Sequence, residues 1–342
     1  MSHNDGMMRA LQARSKDLRD LALTRVAIPE TGPDDILVRV KATSVNYRDL
    51  VVIKGVYKPN IGYPFVPLSD AAGEVVRVGR NVTRFKAGDR VVPTFIQGWP
   101  SGLPIPERRA NWTLGWPRTG VLQDYIVVPA EDAVASPANL SDREAATLPI
   151  AAVTAWSALV EGGTKAGDWV LVEGTGGVAL FVLQFAKTMG AKVAITSSSN
   201  DKLARARQMG ADCTVNYKTE REWDRVVIAA TGGRGVDVLV ETAAGSTLPK
   251  AMSTLAFGGY VGVVGFLGGF ETPLNVGPLI GQLIRIQGIA VGARDRFEAM
   301  NRAIEVHDVR PVIDRVFRFE DAAEALALMD RGGHFGKIVI EL

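Results

Sequence analysis

Cysteine is nearly absent from this chain. Cys213 is the single one among 342 residues, and only three histidines accompany it: His3, His307 and His334. One cysteine excludes an intramolecular disulfide framework and any four-cysteine zinc site. So few thiolate and imidazole donors also argue against a transition-metal centre, so no metal is expected. An excess of one charge is missing too. Lys and Arg number 39 against 37 Asp and Glu, a formal net of +2. That balance gives no electrostatic reason to expect nucleic acid or a membrane surface as partner. No apolar run approaches the roughly 18–20 residues that cross a bilayer. Residues 1–8 are polar, without the basic-then-apolar order of a secretory signal, and are expected to form a flexible extension. Repeats and low-complexity tracts are absent. The expectation is a cytoplasmic protein.

What is present is an ordinary globular composition, 47% hydrophobic and 22% charged, in a chain long enough for about two domains. Two textures divide it. Up to about residue 140, short β-like runs (36–42, 72–78, 90–93 and 124–128) are broken by Gly, Pro and Asn, which predicts a β-rich domain. Within this part, Thr94 to Gly120 carries Trp99, Trp112, Trp116 and four prolines and is too irregular for regular elements. Its tryptophans suit either an apolar substrate wall or a small packing core. From about 165 to 292, strand-like runs (169–173, 192–196, 237–241, 260–265 and 286–291) alternate with helix-like ones such as 178–189 and 201–209. That alternation predicts an α/β, doubly wound parallel sheet. A helix over 321–330 and a strand over 337–342 close the chain and are expected to return to the first domain. The boundaries that follow are 9–150 with 300–342 for one domain and 151–299 for the other.

The strongest motif is Gly174-Thr175-Gly176-Gly177-Val178-Ala179, which follows a strand and opens an apolar helix. It fits Gly-x-Gly-x-x-Ala. The first glycine permits the tight turn, the second lets a pyrophosphate approach the backbone, and the small third residue packs helix on strand. The helix N-terminus adds free N–H groups and a favourable dipole. An NAD site places a carboxylate about 20 residues on, at the end of the next strand. This chain has Ser197, Ser198 and Ser199 there, with Lys202 beyond. Hydroxyl donors and a lysine suit a 2′-phosphate, and Tyr217 can add a phenolic donor. The expected cofactor is therefore NADP(H), although the serines also suit capping of the helix that follows.

Several segments resemble the medium-chain dehydrogenase/reductase family over most of the chain: Asn46-Tyr47-Arg48-Asp49, Pro67 to Val75, Phe85 to Val91, Ala145 to Pro149, Thr154-Ala155-Trp156, the glycine loop, and Phe335 to Val339. The resemblance implies a GroES-like catalytic domain beside a Rossmann domain. Zinc-dependent members hold a catalytic metal with a Cys, a His-Glu pair and a second Cys. Those positions correspond here to Asn46, to Ser69 with Asp70, and to Ile150, while the structural-zinc lobe would fall in 94–120, which has no cysteine. The chain is therefore similar to the zinc-independent branch of quinone oxidoreductases and enoyl reductases.

That resemblance implies NADPH-dependent hydride delivery to a quinone or an α,β-unsaturated carbonyl, whose charge is delocalised without a Lewis acid. A metal-free alcohol or aldehyde oxidoreductase and a low-turnover NADPH-binding sensor are the alternatives. Asn46, Tyr47, Arg48 and Asp49 are the candidate catalytic residues. Tyr47 would donate to a developing oxyanion, Arg48 would supply fixed charge to that oxyanion or to a cofactor phosphate, Asp49 would orient Arg48, and Asn46 would face the nicotinamide. Tyr57 suits either the cleft or a surface loop. Thr154 resembles the family threonine near the nicotinamide. Gly265 and Phe266, at the carboxyl end of the fifth strand, would meet its amide, and Lys337 would reach a cofactor phosphate or make a surface ion pair. Cys213 reads as an inert buried thiol. A small-molecule substrate and a homodimer joined at the cofactor-sheet edge complete the expectations.

Overall fold

More and less buried side chains alternate along much of the first two strands of the computed structural model, which describes residues 6–57 and 60–342. Strand β1 (Met7–Ala13) pairs antiparallel with β2 (Leu21–Ala27), with Met7 opposite Ala27 and Met8 opposite Val26. Met8 is buried. The expected flexible extension is thus corrected at Met7 and Met8, whose backbones are tied into a ladder; residues 1–5 lie outside the described residues. Next come β3 (Asp35–Val45), helix α1 (Tyr47–Ile53), β4 (Asp70–Val78), β5 (Arg90–Pro93), α2 (Pro106–Asn111), β6 (Tyr125–Pro129), β7 (Ala133–Ala135) and α3 (Asp142–Ala145). Apart from α2, the 94–120 lobe is irregular, as its prolines predict. Its tryptophans pack on polar groups: Arg108 and Arg118 lie 4.8 and 5.3 Å from the Trp112 ring, and Trp99 Nε1 donates to Gly102 O.

A second unit, Ala151–Gly292, begins with α4 (Val153–Glu161) and continues through β8 (Trp169–Glu173), α5 (Gly177–Thr188), β9 (Lys192–Ser197), α6 (Asn200–Gln208), β10 (Cys213–Asn216), α7 (Trp223–Ala230), β11 (Val236–Glu241), α8 (Leu248–Met252), β12 (Leu255–Val263), α9 (Gly277–Gly281) and β13 (Arg285–Gly288). Its six strands are all parallel, in the order β10-β9-β8-β11-β12-β13. This is the doubly wound arrangement, whose strand order reverses between β8 and β11. Every residue of β8 is buried, as a strand covered by helices on both faces must be. Burial likewise wraps most of α5, from Ala179 to Ala186, so this helix is held by packing rather than by a polar outer face. Leu171, Ala194, Leu239, Val261 and Leu255 belong to the core of this unit.

The chain returns to the first unit at Ala293, earlier than the expected residue 300, because α10 (Arg294–His307) belongs wholly to it. After α10 come β14 (Ile313–Arg318), α11 (Ala322–Arg331) and β15 (Lys337–Glu341). These strands complete a seven-stranded sheet ordered β14-β15-β3-β4-β5-β7, with β6 also on β3. The long β3 makes this possible: residues 35–39 pair with β6, and residues 42–45 pair with β15. Ile36, Val38, Leu122, Ile126, Ile338 and Ile340 sit in the core of this unit. Truncating one of these large side chains to alanine would cost about 2–5 kcal/mol. No helix among the described residues is long and apolar enough to cross a membrane.

Candidate functional site

The nucleotide loop leaves β8 at Gly174, whose φ of +80° is a left-handed conformation that favours glycine. A Cβ built at Gly174 or at Gly176 would project into open space. Those positions are therefore bare on their outer side, as the backbone must be where a pyrophosphate lies against it. Gly176 caps α5 without any side-chain hydrogen bond, which leaves the first N–H groups of a 12-residue helix for an anion. Thr175 is buried, and Gly177 and Val178 form the first turn. These groups fit a nicotinamide dinucleotide.

At the end of β9, Ser197 is buried and Ser198 exposed. Ser199 caps α6 by accepting from Lys202 N at 3.4 Å, so one of the three serines has the capping role. Tyr217 N donates to Ser197 O at 3.2 Å, and the Tyr217 ring is 44% exposed. Ser197, Ser198, Lys202 and Tyr217 are thereby grouped at the ends of β9 and β10 and the start of α6. Thr154 is buried in the first turn of α4. Gly265 follows β12, where a Cβ would sit 2.3 Å from Thr242 O. Phe266, next in the chain, stacks on Phe270 with ring centroids 4.5 Å apart.

Sequence reasoning missed one feature of this unit. Glu173 and Glu241 end the neighbouring parallel strands β8 and β11, one step beyond the paired Val172 and Val240. Both are buried. Glu241 Oε1 accepts from Ala243 N and Ala244 N, each at 2.7 Å. Burial, and then the Glu241 carboxylate beside it, push the Glu173 carboxyl well above the usual range. The signal was available: two predicted strands, both ending in Glu.

In the first unit the residues at the family's metal-ligand positions form a buried polar cluster. Asn46 leads into α1, and its backbone N–H donates to Asp49 Oδ2 at 2.8 Å. Ser69 Oγ donates to Asp70 Oδ1, and Ile150 N donates to Asp70 Oδ2, both at 3.1 Å. Lys337 Nζ donates to Asn46 Oδ1 at 2.6 Å and to Val45 O at 2.9 Å. This placement corrects the expectation for Lys337. The residue is 2% exposed, and its ammonium is engaged inside this unit rather than in a surface ion pair. Burial lowers its pKa, opposed by Asp70 and Asp49. Burial also pushes the Asp49 carboxyl up to about 7, against the pull of the Asn46 N–H and the Arg48 guanidinium. The Asp70 carboxyl is raised by burial, with Lys337 foremost among the groups that oppose the rise.

The structure also redefines Arg48. Its guanidinium donates to Leu114 O at 3.2 Å, Trp116 O at 2.7 Å and Thr113 Oγ1 at 3.2 Å, and lies 4.7 Å from the Phe95 ring centroid. Burial lowers its pKa. The side chain expected to offer charge to an oxyanion or phosphate is a clamp on the 94–120 lobe. Asp49 does not hydrogen-bond it and instead accepts the Asn46 N–H. Tyr47 and Tyr57 are 42% and 43% exposed, and Tyr57 lies 5.9 Å from the Arg48 guanidinium. Cys213 is partly buried, and burial pushes its thiol up.

Comparison with known proteins agrees with this geometry. Residues 32–138 match the alcohol dehydrogenase GroES-like domain, and residues 177–305 match the zinc-binding dehydrogenase domain. A zinc-type alcohol dehydrogenase-like protein of Schizosaccharomyces pombe is 41% identical over 91% of this chain and 92% of its own length. A quinone oxidoreductase of Rattus norvegicus is 30% identical over 93% and 92%. A solved Sinorhizobium meliloti 1021 structure bearing an alcohol dehydrogenase name superposes with a TM-score of 0.92 at 45% identity, covering 98% of each chain. The chain belongs to the medium-chain dehydrogenase/reductase superfamily. It is thus an oxidoreductase of a nicotinamide-dependent family.

The family name raises zinc, and the residues present can be tested against it. Zinc takes thiolate, imidazole or carboxylate donors, usually four. Asn46 offers one amide oxygen, already occupied by an ammonium. Ser69 offers a hydroxyl, and Ile150 has no donor side chain. Among the described residues no group of three or more His, Cys, Asp or Glu is placed to hold a metal. This donor set does not fit zinc.

Proposed function

We propose that this chain is a zinc-independent, NADPH-dependent reductase that delivers hydride to a quinone or an α,β-unsaturated carbonyl compound. The observation that carries the reading is the Lys337–Asn46 hydrogen bond at the position where zinc-dependent members place a metal ligand. Without a Lewis acid, a saturated carbonyl develops a localised alkoxide that only hydrogen bonds can stabilise. A conjugated acceptor spreads the same charge as an enolate or phenolate, which a few donors can hold.

Bound NADPH supplies the hydride. The chain's own residues bind and orient. Gly174 to Val178 hold the pyrophosphate against the α5 N-terminus. Ser197, Ser198, Lys202 and Tyr217 favour the 2′-phosphate, while Thr154, Gly265 and Phe266 border the nicotinamide. Tyr47, 42% exposed on α1, is the residue from which a proton would reach the reduced substrate. The rat quinone oxidoreductase supports the acceptor class by likeness.

A homodimer belongs to the same reading. Among the described residues β13 pairs only with β12, all four of its residues are exposed, and Phe270, Ile280 and Leu283 are each at least 60% exposed in the segment leading to it. An open apolar edge of this kind is suited to pairing with a second copy.

The test is NADPH oxidation against quinones, enones, ketones and aldehydes after exhaustive chelation, with metal analysis of the same preparation. Turnover of quinones or enones without metal is the expected result. Turnover of saturated carbonyls alone, which the alcohol dehydrogenase names of the relatives would favour, overturns the substrate class, and stoichiometric zinc overturns the metal-free mechanism.

A further inference from the structure

Strand register brings Lys337 into the interior of the first unit. β15 runs antiparallel to β3 with Ile338 opposite Val45, so the residue one step back meets Asn46. Gly336, at φ +89°, has Val312 O 2.3 Å from where a Cβ would lie, which pins the backbone just before the lysine. An ammonium can only donate. Its contact with Asn46 Oδ1 therefore decides which way round the amide stands, with Nδ2 turned from Lys337. Nδ2 is buried, and the Asp70 carboxylate draws on one of its two N–H groups; no good hydrogen bond within the protein completes it, and Asp49 Oδ1 likewise lacks a donor. An unmatched second N–H in a buried polar site is costly and can take a further acceptor atom. The charged groups facing Lys337 are Asp49 of α1 and Asp70 of β4, with Arg48 near both.

We propose that Lys337 is the positioning residue of this site. Its ammonium is the resident cation that offsets Asp49 and Asp70, and it sets the Asn46 amide so that Nδ2 is the donor for the carbonyl or quinone oxygen of the substrate. This rests on the metal-free reading above. Lys337 does not touch the reacting atoms; it acts through Asn46.

The test uses the full chain and the variants K337M, N46A, D70N and K337M/D70N, together with K337M/N46A. K337M is expected to lower kcat about 100-fold, the scale of loss from a misplaced catalytic group, while the NADPH Kd stays within about twofold. It should also lower the urea midpoint, because Asp70 is left buried without its cation. Adding D70N should raise that midpoint again without restoring kcat. K337M/N46A should be no slower than K337M, because both changes remove the same donor.

Three results would overturn the proposal. A larger effect of K337M on NADPH Kd than on kcat would return Lys337 to a cofactor phosphate. Recovery of kcat in K337M/D70N would make it a charge partner only. Failure of K337M/D70N to fold would exclude the charge offset. Stoichiometric zinc in the unmodified protein would instead defeat the reading beneath it, whatever the variants do.

Discussion

Glu173 and Glu241 close two adjacent parallel strands, and each keeps one buried carboxyl oxygen without a donor. A single proton between them satisfies both orphans. Glu241 already accepts two backbone N–H groups, and burial and the neighbouring Glu241 raise the Glu173 carboxyl, so the proton resides on Glu173. The linkage has a definite sign. The folded state holds a proton that the unfolded chain releases above the ordinary glutamate value, so stability is greatest below that value. It declines as pH rises toward the elevated value of Glu173. Urea midpoints measured from the ordinary glutamate value upward should fall with pH in the unmodified protein. The slope should flatten in E173Q, which keeps a donor facing Glu241 without a titrating proton. An unchanged slope in E173Q would place the proton elsewhere.

Cofactor choice should depend on Lys202. Losing a charge-assisted contact worth roughly 1.5–3 kcal/mol corresponds to about 10- to 100-fold in affinity. K202A should weaken NADPH by that factor and NADH little, as read by fluorescence titration at fixed salt. Equal losses for the two cofactors would remove the 2′-phosphate assignment.

Arg48 should behave as a structural clamp. Its guanidinium satisfies two main-chain carbonyls and a threonine hydroxyl of the lobe, a fork that lysine cannot reproduce. R48K should destabilise the protein by about 1–3 kcal/mol, the scale of losing hydrogen bonds from a charged donor in a buried site. Limited proteolysis should then cut first within 94–120. Normal stability with lost turnover would instead make Arg48 a catalytic residue.

Charge placed on the apolar segment before β13 should separate the copies. I280E replaces a side chain that is 75% exposed, so it costs the folded monomer little. Light scattering should show a shift from dimer to monomer. A dimer that persists in I280E and in L283E would move the interface away from this edge.

Much of the second unit was legible in its residues. β8 spans Trp169–Glu173 as expected, and α5 lies within one residue of its expected bounds, because hydrophobic period and glycine spacing are local signals. β12 was harder. It begins at Leu255, whereas the strand-like run in the sequence starts at Tyr260. The pairing of β11 with β12 shifts register after Val236, and the strand continues through the irregularity. Met7 and Met8 differ from expectation because their order comes from a partner strand. A short polar start looks loose until the partner strand Leu21–Ala27 is seen beside it.

Residue types at fixed spacing were enough to establish the family, the nucleotide loop, and the loss of Cys and His at the metal positions, since each is written within a short window of chain. The fate of those positions depended on contacts that no window contains. Lys337 and Asn46 lie 291 residues apart, and they meet because β15 pairs with β3. Once they meet, burial changes the meaning of both residues. A lysine near a strand end is ordinarily a solvated cation, but surrounded by protein it must find oxygen acceptors and countercharge. Desolvation, set by packing around the whole site, converts an expected phosphate contact into an internal charge at the family's metal position.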